Sequence, residues 1–456
     1  MVKIHIAIVG SGPSGFYAAE ALLRSDLNVE VNMIEKLPTP FGLVRSGVAP
    51  DHPKLKQSIL VYERILQQDG INFFGNVTVD QDVSIEELLR THHGVIMACG
   101  APLDNKLNIP GEDLRGSHAA TAFVGWYNGH PDYRDQEFNF KQKAAIVIGH
   151  GNVAADVCRI LSKPVSELQK SDIAEHALDA LSESEIQEIH IIGRRGPVQA
   201  KFSPKELREL ADIPNFTTEV DANDCDIGEQ CEVELQDPKN ITSGKNLELF
   251  RSFSDLQSGH ELPSNQLGKI KFRFYLTPQK IHGTETVEGM SFSKNQLDGQ
   301  AFSQKVVTTG QTERIPCGLV FRSIGYRGVP FNDIPFNEVQ GKIPNEQGRV
   351  IKNGEPMQGV YVTGWQKRGP TGIIGTNRAD SIETVECLLA DMIGDEITPK
   401  PGAGELRAIV EKRHVQIVGL EDWKKIDTSE IDRGKKFGKP REKFTRVDEM
   451  LDVLSI

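Results

Sequence analysis

The stretch IHIAIVGSGPSGFYAAEAL, residues 4 to 22, decides the fold. An apolar run leads into the spacing Gly10-x-Gly12-x-x-Gly15, and the residues that follow have the period of a helix. A buried parallel strand, a glycine turn and a helix in this order point backbone N–H groups and the positive helix end at a pyrophosphate. The sequence predicts a dinucleotide-binding unit, with the three glycines and Ser14 as candidate contacts.

The next predicted strand, NVEVNMIE, ends at Glu35, which lies 20 residues beyond Gly15. A carboxylate at this position can accept hydrogen bonds from both hydroxyls of an adenosine ribose. It would repel a 2′-phosphate, so this unit is predicted to bind FAD or NAD rather than NADP.

A second turn follows in AAIVIGHGNVAADVCRIL, residues 144 to 161, with Gly149, Gly151 and Ala154 in the three fingerprint positions. Alanine is an allowed variant there and decides little. The next predicted strand, EIHIIGRRG, ends at Arg194 and Arg195. These could be solvated surface arginines, but paired guanidinium groups at this position suit a 2′-phosphate. The second unit is therefore predicted to bind NADP(H).

Two dinucleotides on one chain imply hydride transfer from a nicotinamide to a flavin, which can pass electrons on singly or in pairs. We expect an α/β fold with two Rossmann-like domains. A discontinuous FAD domain (1–103 and 331–456) is interrupted by an NADP domain (104–330). Within the latter, the alternating pattern between about 216 and 316 predicts an antiparallel insertion.

The composition excludes several other classes. A formal net charge of −12 argues against general binding to nucleic acid or to an anionic membrane. No apolar run approaches the roughly 20 residues of a membrane span, and the first residues leave no room for a targeting peptide. The six cysteines form no CxxC pair, which indicates no metal site, no dithiol pair and a reducing compartment. We expect a cytoplasmic enzyme.

The C-terminal stretch RGKKFGKPREKFTR, residues 433 to 446, carries seven basic residues and one acid. Its default interpretation is a solvated surface loop. The alternative is a contact for an acidic partner or for the cofactor.

Several long blocks together resemble one family. They include IEKLPTPFGLVRSGVAPDHPKLK (34–56), GHGNVAADV (149–157), KELREL (205–210) and GWQKRGPTGIIGT (364–376). The chain resembles, over nearly its whole length, the adrenodoxin reductase-like ferredoxin–NADP reductases, and the resemblance implies a fold on the glutathione-reductase plan. The resemblance implies electron flow from NADPH to the N5 atom of FAD, and then one electron at a time to an acidic [2Fe–2S] ferredoxin. It also implies a monomer.

The resemblance implies a set of contacts to each cofactor. Those to FAD are Gly15, Glu35, Leu43, Val79, Trp365, Gly372, Ile373 and Ile374. Those to NADP(H) are His150, Gly151, Asn152, Val153, Arg194, Arg195, Glu206 and Gly372. His52 and Glu209 match a histidine and an acid near the flavin and nicotinamide, where they would orient the rings and tune charge. Relatives often carry a small amide where this chain has His150. A histidine in this loop is usually a tolerated surface residue; the alternative hypothesis is that it lies near a phosphate and gives pH-dependent affinity between pH 6 and 8.

An acidic partner requires a basic face on this acidic protein. The candidates are Arg194, Arg195, Lys201, Lys205 and Arg208, and the C-terminal basic stretch is a second candidate. Two alternatives remain: an NADPH-dependent diaphorase, oxidase or monooxygenase without a protein acceptor, and a flavin-based redox sensor. A disulfide reductase would need a redox cysteine pair, which the sequence lacks.

Overall fold

The computed structural model describes residues 2–255, 268–392 and 397–455. Their contacts divide the chain into two units. Unit 1 comprises Met1–Leu103, Asn128–Arg134 and Gly325–Ile456, and unit 2 comprises Asp104–Tyr127 and Asp135–Ile324. Against the expected bounds of 104 and 330, the short segments 128–134 and 325–330 group with unit 1.

The described strands and helices follow one another along the chain. The strands are β1 (Ile4–Val9), β2 (Val29–Glu35), β3 (Ile71–Gly75), β4 (Gly94–Met97), β5 (Leu103–Asp104), β6 (Ser117–Ala119), β7 (Ala144–Ile148), β8 (Glu188–Ile192), β9 (Phe216–Val220), β10 (Gly268–Arg273), β11 (Leu276–His282), β12 (Gly289–Asp298), β13 (Lys305–Ile315), β14 (Leu319–Arg322), β15 (Tyr326–Arg327), β16 (Asn345–Glu346), β17 (Arg349–Lys352) and β18 (Glu355–Val362). The helices are α1 (Pro13–Leu23), α2 (Gly42–Ser46), α3 (Pro53–Lys56), α4 (Ile59–Leu66), α5 (Ile85–Thr91), α6 (Ala120–Tyr127), α7 (Asn152–Ser162), α8 (Val165–Leu168), α9 (Glu175–Ser182), α10 (Pro204–Ala211), α11 (Glu229–Gln236), α12 (Ile241–Asp255), α13 (Trp365–Arg368), α14 (Thr376–Asp391), α15 (Ala403–Lys412), α16 (Leu420–Lys436) and α17 (Val447–Asp452).

Unit 1 is built on a seven-stranded sheet in the order β16-β17-β18-β4-β1-β2-β3. The five strands from β18 to β3 run parallel, and β16 and β17 add an antiparallel edge. The inner strands are apolar on both faces because each face is covered, as a parallel sheet requires. Phe16 of α1 packs on one face with Tyr62 of α4, at 4.9 Å between ring centroids.

Unit 2 is built on a six-stranded sheet in the order β6-β14-β7-β8-β10-β9, and all of its pairs are parallel. Ile148 at the end of β7 pairs with Ile192 at the end of β8, so the glycine turn and the arginine pair leave the sheet at the same edge. An aromatic cluster around Phe123 and Phe321, 4.9 Å apart, fills one side of the sheet.

The prediction of an antiparallel insertion is wrong for the first half of residues 216–316. The strands β9 and β10 pair in parallel within the central sheet, and α11 and α12 lie between them. Leu247, Phe250 and Phe253 are buried at helical spacing on α12, a signal that the polar residues between them conceal. The antiparallel sheet is confined to β11-β12-β13. The predicted pattern also covered residues 256–267, which lie outside the described residues.

The interpretation of the C-terminal basic stretch as a solvated loop holds only in part, because Lys435, Lys436 and Arg446 are exposed but other residues of the stretch are not. Its first part ends helix α16, and Lys439 and Lys443 are buried. The ammonium of Lys443 donates to the carbonyl oxygen of Asn128 at 3.0 Å, while Lys439 pairs with Glu442 at 2.7 Å. The stretch therefore holds unit 1 together, and its contact with Asn128 is one reason that segment 128–134 belongs to this unit.

None of the helices in the described ranges is both long and apolar enough to span a membrane.

Two candidate dinucleotide sites

At the first glycine turn, Gly10 and Gly15 leave no room for a side chain, whereas Gly12 borders open space. Gly10 has a φ of +108°, and a Cβ there would lie 2.6 Å from the carbonyl oxygen of Ala98. A Cβ on Gly15 would lie 2.1 Å from the carbonyl oxygen of Gly10. Beyond its chain neighbours, a Cβ on Gly12 would meet no described heavy atom within 4 Å. The open space lies at the amino end of α1, whose free N–H groups suit a phosphate.

The carboxylate of Glu35 is fixed beside this turn. One of its oxygens accepts hydrogen bonds from the Ser11 amide at 3.0 Å and from the Ser11 hydroxyl at 2.6 Å. The other accepts from the Leu37 amide at 3.2 Å. Because each carboxylate oxygen can accept more than one bond, Glu35 remains able to accept ribose hydroxyls while its orientation is held. The sequence prediction did not include Ser11.

The segment from Gly364 to Ser381 folds against the start of α1. The hydroxyl of Ser14 donates to the amide oxygen of Asn377 at 3.1 Å, and a Cβ on Gly364 would lie 2.2 Å from that hydroxyl. Asp380 accepts from the Gly364 amide at 2.5 Å and from Arg368 at 3.0 Å. Asn377, Asp380 and Arg368 escaped the sequence analysis, since they lie in a glycine-rich block where polar residues carry no periodic signal.

The other residues expected to contact FAD also lie in unit 1, in different surroundings. Leu43 is exposed on α2, and Val79 is buried in the core cluster with Val9 and Ile34. The ring of Trp365 lies 5.3 Å from that of Tyr326. The remaining three precede α14: Gly372 has a φ of +83°, Ile373 is exposed, and Ile374 packs against the core.

The second glycine turn repeats the geometry of the first in unit 2. Gly149 has a φ of +130°, and a Cβ there would lie 2.1 Å from the carbonyl oxygen of Ser323. A Cβ on Gly151, at the start of α7, would meet no described heavy atom within 4 Å beyond its neighbours. Ala154 is fully buried in the position that corresponds to Gly15. Helix α7 therefore accommodates a methyl group that would clash at the first turn.

The ring of His150 points into the interior of unit 2. Its Nε2 atom lies 3.2 Å from the carbonyl oxygen of Ile191, and its ring centroid lies 4.7 Å from that of Phe274. Burial lowers the pKa of His150 to about 4, although the hydrogen bond to Ile191 opposes the shift. The imidazole is therefore neutral between pH 6 and 8, so the hypothesis of pH-dependent phosphate affinity through this ring is wrong.

Arg194 and Arg195 are exposed directly after β8. The backbone around them is fixed, since the Arg194 carbonyl accepts from the Asn295 side chain at 3.1 Å and the Arg195 carbonyl accepts from the Tyr275 amide at 3.1 Å. No ion pair joins either guanidinium to a carboxylate in the described part of the chain. By contrast, Lys205 pairs with Glu209 at 3.0 Å. The two arginines are therefore available for a phosphate.

Helix α10 is tied to the second turn through Asn152 and Arg159. The side-chain oxygen of Asn152 accepts from the Ser203 amide at 2.8 Å, and the Ser203 hydroxyl caps the helix at the Glu206 amide. The fully buried Arg159 donates to Glu206 at 2.8 Å and lies 3.7 Å from Glu209. These contacts orient the two acids. Val153 is half-buried in the first turn of α7.

His52 belongs to unit 1, whereas Glu209 belongs to unit 2. The His52 side chain is buried, and its carbonyl oxygen accepts from the amides of Leu55 and Lys56 at the start of α3.

The residues of both sites fit the cofactors that the sequence indicates. Each turn presents an open glycine at a helix amino end, which suits a pyrophosphate. The fixed carboxylate of Glu35 suits an unphosphorylated ribose, as in FAD, and free guanidinium groups suit the 2′-phosphate of NADP(H).

Comparison with known proteins agrees with this geometry. Residues 4–212 match the family described as pyridine nucleotide-disulphide oxidoreductase. The chain is 40% identical over 459 residues to the mitochondrial NADPH:adrenodoxin oxidoreductase of Salvelinus fontinalis, covering 98% of this chain and 90% of that protein. It is 42% identical to the NADPH-ferredoxin reductase FprA of Mycobacterium leprae, covering 98% of each.

The chain belongs to this family of NADPH:adrenodoxin and NADPH-ferredoxin oxidoreductases. A solved structure of FprA from Mycobacterium tuberculosis superposes with a TM-score of 0.92 at 41% identity and covers 99% of each chain. A second structure, of the same protein in complex with NADPH, gives a TM-score of 0.91. The predicted family and the predicted fold, two Rossmann-like α/β units on one chain, are confirmed.

Proposed function

We propose that this chain is an NADPH:ferredoxin oxidoreductase that uses FAD. The observation that carries the proposal is the opposite charge at two otherwise similar sites. The fixed carboxylate of Glu35 stands beside one open turn. Arg194 and Arg195, which form no ion pair with any residue that the structure describes, stand beside the other. Membership of the family supports the same function. Bound FAD would supply the chemistry, since a flavin accepts a hydride and releases electrons singly.

Unit 1 would hold FAD through its backbone and through a few fixed polar groups. The amino end of α1 would bind the pyrophosphate, and Glu35 would accept the ribose hydroxyls. The proposed contacts are Gly10, Gly12, Ser14, Gly15, Glu35, Leu43, Val79, Trp365, Gly372, Ile373 and Ile374. The network of Asp380 would keep the segment around Trp365 in place during turnover.

Unit 2 would hold NADP(H) in a corresponding way. The amino end of α7 would bind the pyrophosphate, and the arginine pair would bind the 2′-phosphate. The proposed contacts are Gly149, His150, Gly151, Asn152, Val153, Arg194, Arg195, Glu206 and Gly372, the last of them a residue of unit 1. His150 would contribute its backbone, because its ring points inward.

We propose that His52 and Glu209 orient the reacting rings and tune the charge near them. Hydride transfer needs close alignment of donor and acceptor and no proton donor. The charge of Glu209 is balanced by Lys205 at 3.0 Å and by Arg159 at 3.7 Å, which suits a positioning role. A variant that removes this carboxylate, Glu209→Gln, should slow flavin reduction while leaving the Kd for NADP⁺ little changed.

The proposed electron acceptor is an acidic [2Fe–2S] ferredoxin, docked by a monomeric reductase. On α10, Arg208 is exposed and unpaired among the described residues, and it lies with Arg194 and Lys201 in the same unit. Lys205 contributes less, since it pairs with Glu209. We propose a cytoplasmic location, because none of the six cysteines is joined in a disulfide, which fits a reducing compartment.

The test is anaerobic transfer from NADPH through the FAD-loaded protein to a [2Fe–2S] ferredoxin, measured at increasing salt concentration. Reduction of ferredoxin should fall steeply with salt, because docking is electrostatic. Reduction of a small uncharged quinone by the same enzyme should change little, and it serves as the control. Turnover with quinone or oxygen but with no tested ferredoxin would support a diaphorase or oxidase instead.

A further inference from the structure

A cavity of about 340 Å³ in unit 2 adjoins the second glycine turn. Arg195 lines this cavity together with Lys201 and Lys305, while Arg194 does not. The Lys201 amide donates to the carbonyl oxygen of His150 at 2.7 Å, which fixes Lys201 next to the turn. Lys305 begins strand β13, so it reaches the cavity from the antiparallel sheet. Three cations from two parts of the chain, the connection between β8 and α10 and the start of β13, therefore face one space.

The side chains that line the cavity carry a net positive charge. No ion pair engages Arg195, Lys201 or Lys305 within the described ranges, although Asp298 is the register partner of Lys305. Glu234 is the single acid among the lining residues. Its carboxylate is already bound by the Gln199 amide group at 3.0 Å and by the Phe302 amide at 2.8 Å. The positive charge thus exceeds the negative charge, and an anion is the ligand that suits it.

The first turn of α12 adds to this preference. Ser243, in that turn, and Asn240, directly before it, both line the cavity. The amino end of a 15-residue helix carries a partial positive charge.

The loop before Lys305 supplies an aromatic surface. Phe302 lines the cavity with 62% of its surface exposed, which is unusual for a phenylalanine. Its φ of +65° is held by the bond from its amide to Glu234, and the preceding amide of Ala301 donates to Gln230 at 2.9 Å. Helix α11 therefore fixes the backbone of Phe302 beside the cations, and the exposed ring can stack on a purine there.

We infer that this cavity receives the 2′-phosphoadenosine end of NADP(H), with Lys305 and Phe302 as residues that determine specificity. Lys305 joins Arg195 and Lys201 on the 2′-phosphate, and Phe302 stacks on the adenine ring. The inference rests on the proposed function, because it presumes that unit 2 binds NADP(H). It adds the antiparallel sheet to the binding site, whose other residues come from the Rossmann-like sheet and its connections.

The test compares the binding of 2′,5′-ADP and 5′-ADP to the FAD-loaded protein by isothermal titration calorimetry. Lys305→Gln should weaken the binding of 2′,5′-ADP by about tenfold, the effect of losing one charge-assisted hydrogen bond, and should leave the affinity for 5′-ADP unchanged. Lys305→Arg should restore binding. Phe302→Leu should weaken both nucleotides by the same factor, since the adenine is common to them. The matched control is Lys280→Gln, which removes an exposed lysine from β11 of the same sheet.

Unchanged binding of 2′,5′-ADP to Lys305→Gln would overturn the inference. If Arg195→Gln still weakened this ligand, the proposed function would stand without Lys305. Equal affinity of the wild-type protein for both nucleotides would contradict the preference for NADP(H) itself. A loss of ferredoxin reduction by Lys305→Gln with normal 2′,5′-ADP binding would assign Lys305 to docking and would also overturn the inference.

Discussion

The buried carboxylate of Glu430 offers the most demanding test of how unit 1 is held together. It accepts from the Arg45 guanidinium at 2.5 Å and from the Phe444 amide at 3.0 Å. Arg45 is itself buried, lies over the ring of Trp423 at 5.3 Å, and follows two residues after Leu43, a proposed FAD contact. Replacing Glu430 by glutamine therefore leaves a guanidinium without its charge partner in the core.

We expect Glu430→Gln to destabilise unit 1 by about 3–5 kcal/mol, the usual effect of breaking a buried ion pair by removing one partner. The assay is denaturant unfolding followed by the release of FAD, whose fluorescence reports on unit 1. The double variant Arg45→Met/Glu430→Leu should recover part of the loss, since it leaves no buried charge of this pair. The control is Glu421→Gln, an exposed acid of the same helix whose partner is Lys424.

The same pair predicts a dependence on pH. Burial alone would raise the pKa of Glu430, but the charges of Arg45 and Arg441 and the Phe444 amide outweigh it and hold the pKa below its usual value. The carboxylate therefore stabilises the fold above its unfolded pKa, and this contribution disappears as the pH falls through the lower, folded value. If Glu430→Gln were no less stable than Glu421→Gln at neutral pH, the reasoning from burial and pairing would be refuted.

Two further predictions concern the turns. Because the pKa of His150 is lowered to about 4, wild-type unit 2 should lose stability as the pH falls from 6.5 towards 4, by up to about 1.4 kcal/mol per pH unit for this proton. His150→Phe should make that profile less steep in unfolding experiments, and the remaining slope should come from His118 and His190 of unit 2, whose pKa values burial also lowers to about 4. The pH dependence of NADPH binding should not change, and a changed binding profile between pH 6 and 8 would contradict the inward ring. In Gly151→Ala the added methyl group meets no described heavy atom within 4 Å, so the variant should fold normally and keep its FAD. A titration should show that NADPH binds at least about tenfold more weakly, because the methyl group occupies the space for the pyrophosphate. Equal affinity would mean that the pyrophosphate does not approach this glycine.

The sequence alone predicted the parts of the fold in which apolar residues and glycines recur at a regular spacing. Strand, turn and helix around Gly10 and Gly149 carry apolar runs and glycine spacings that only this geometry satisfies, and Glu35 and Arg195 follow from their positions at strand ends. The resemblance to the family added further candidate cofactor contacts, such as Leu43 and Glu206, which no regular spacing in the sequence indicates.

What the sequence did not reveal depends on contacts between distant segments. The basic residues around Lys443 look solvated, yet a carbonyl oxygen of residue 128 and the acids of α16 bury them. His150 looks like a phosphate neighbour, and only the position of Phe274 shows that its ring turns inward. Lys305 carries no motif at all, because its place beside Arg195 follows from the antiparallel sheet.

The preference of the wild-type enzyme for its nicotinamide donor tests the central claim most directly. The measurement is stopped-flow reduction of the bound flavin, followed by its visible absorbance, with NADPH and with NADH. We expect NADPH to be favoured over NADH by about a hundredfold or more in the ratio of the flavin-reduction rate constant to the Kd of the donor, because NADPH gains two or more charge-assisted bonds to its 2′-phosphate. The variant Arg194→Gln/Arg195→Gln should lose most of that preference while its rate with NADH stays the same. Equal reduction of the wild-type protein by NADH and NADPH would contradict the account.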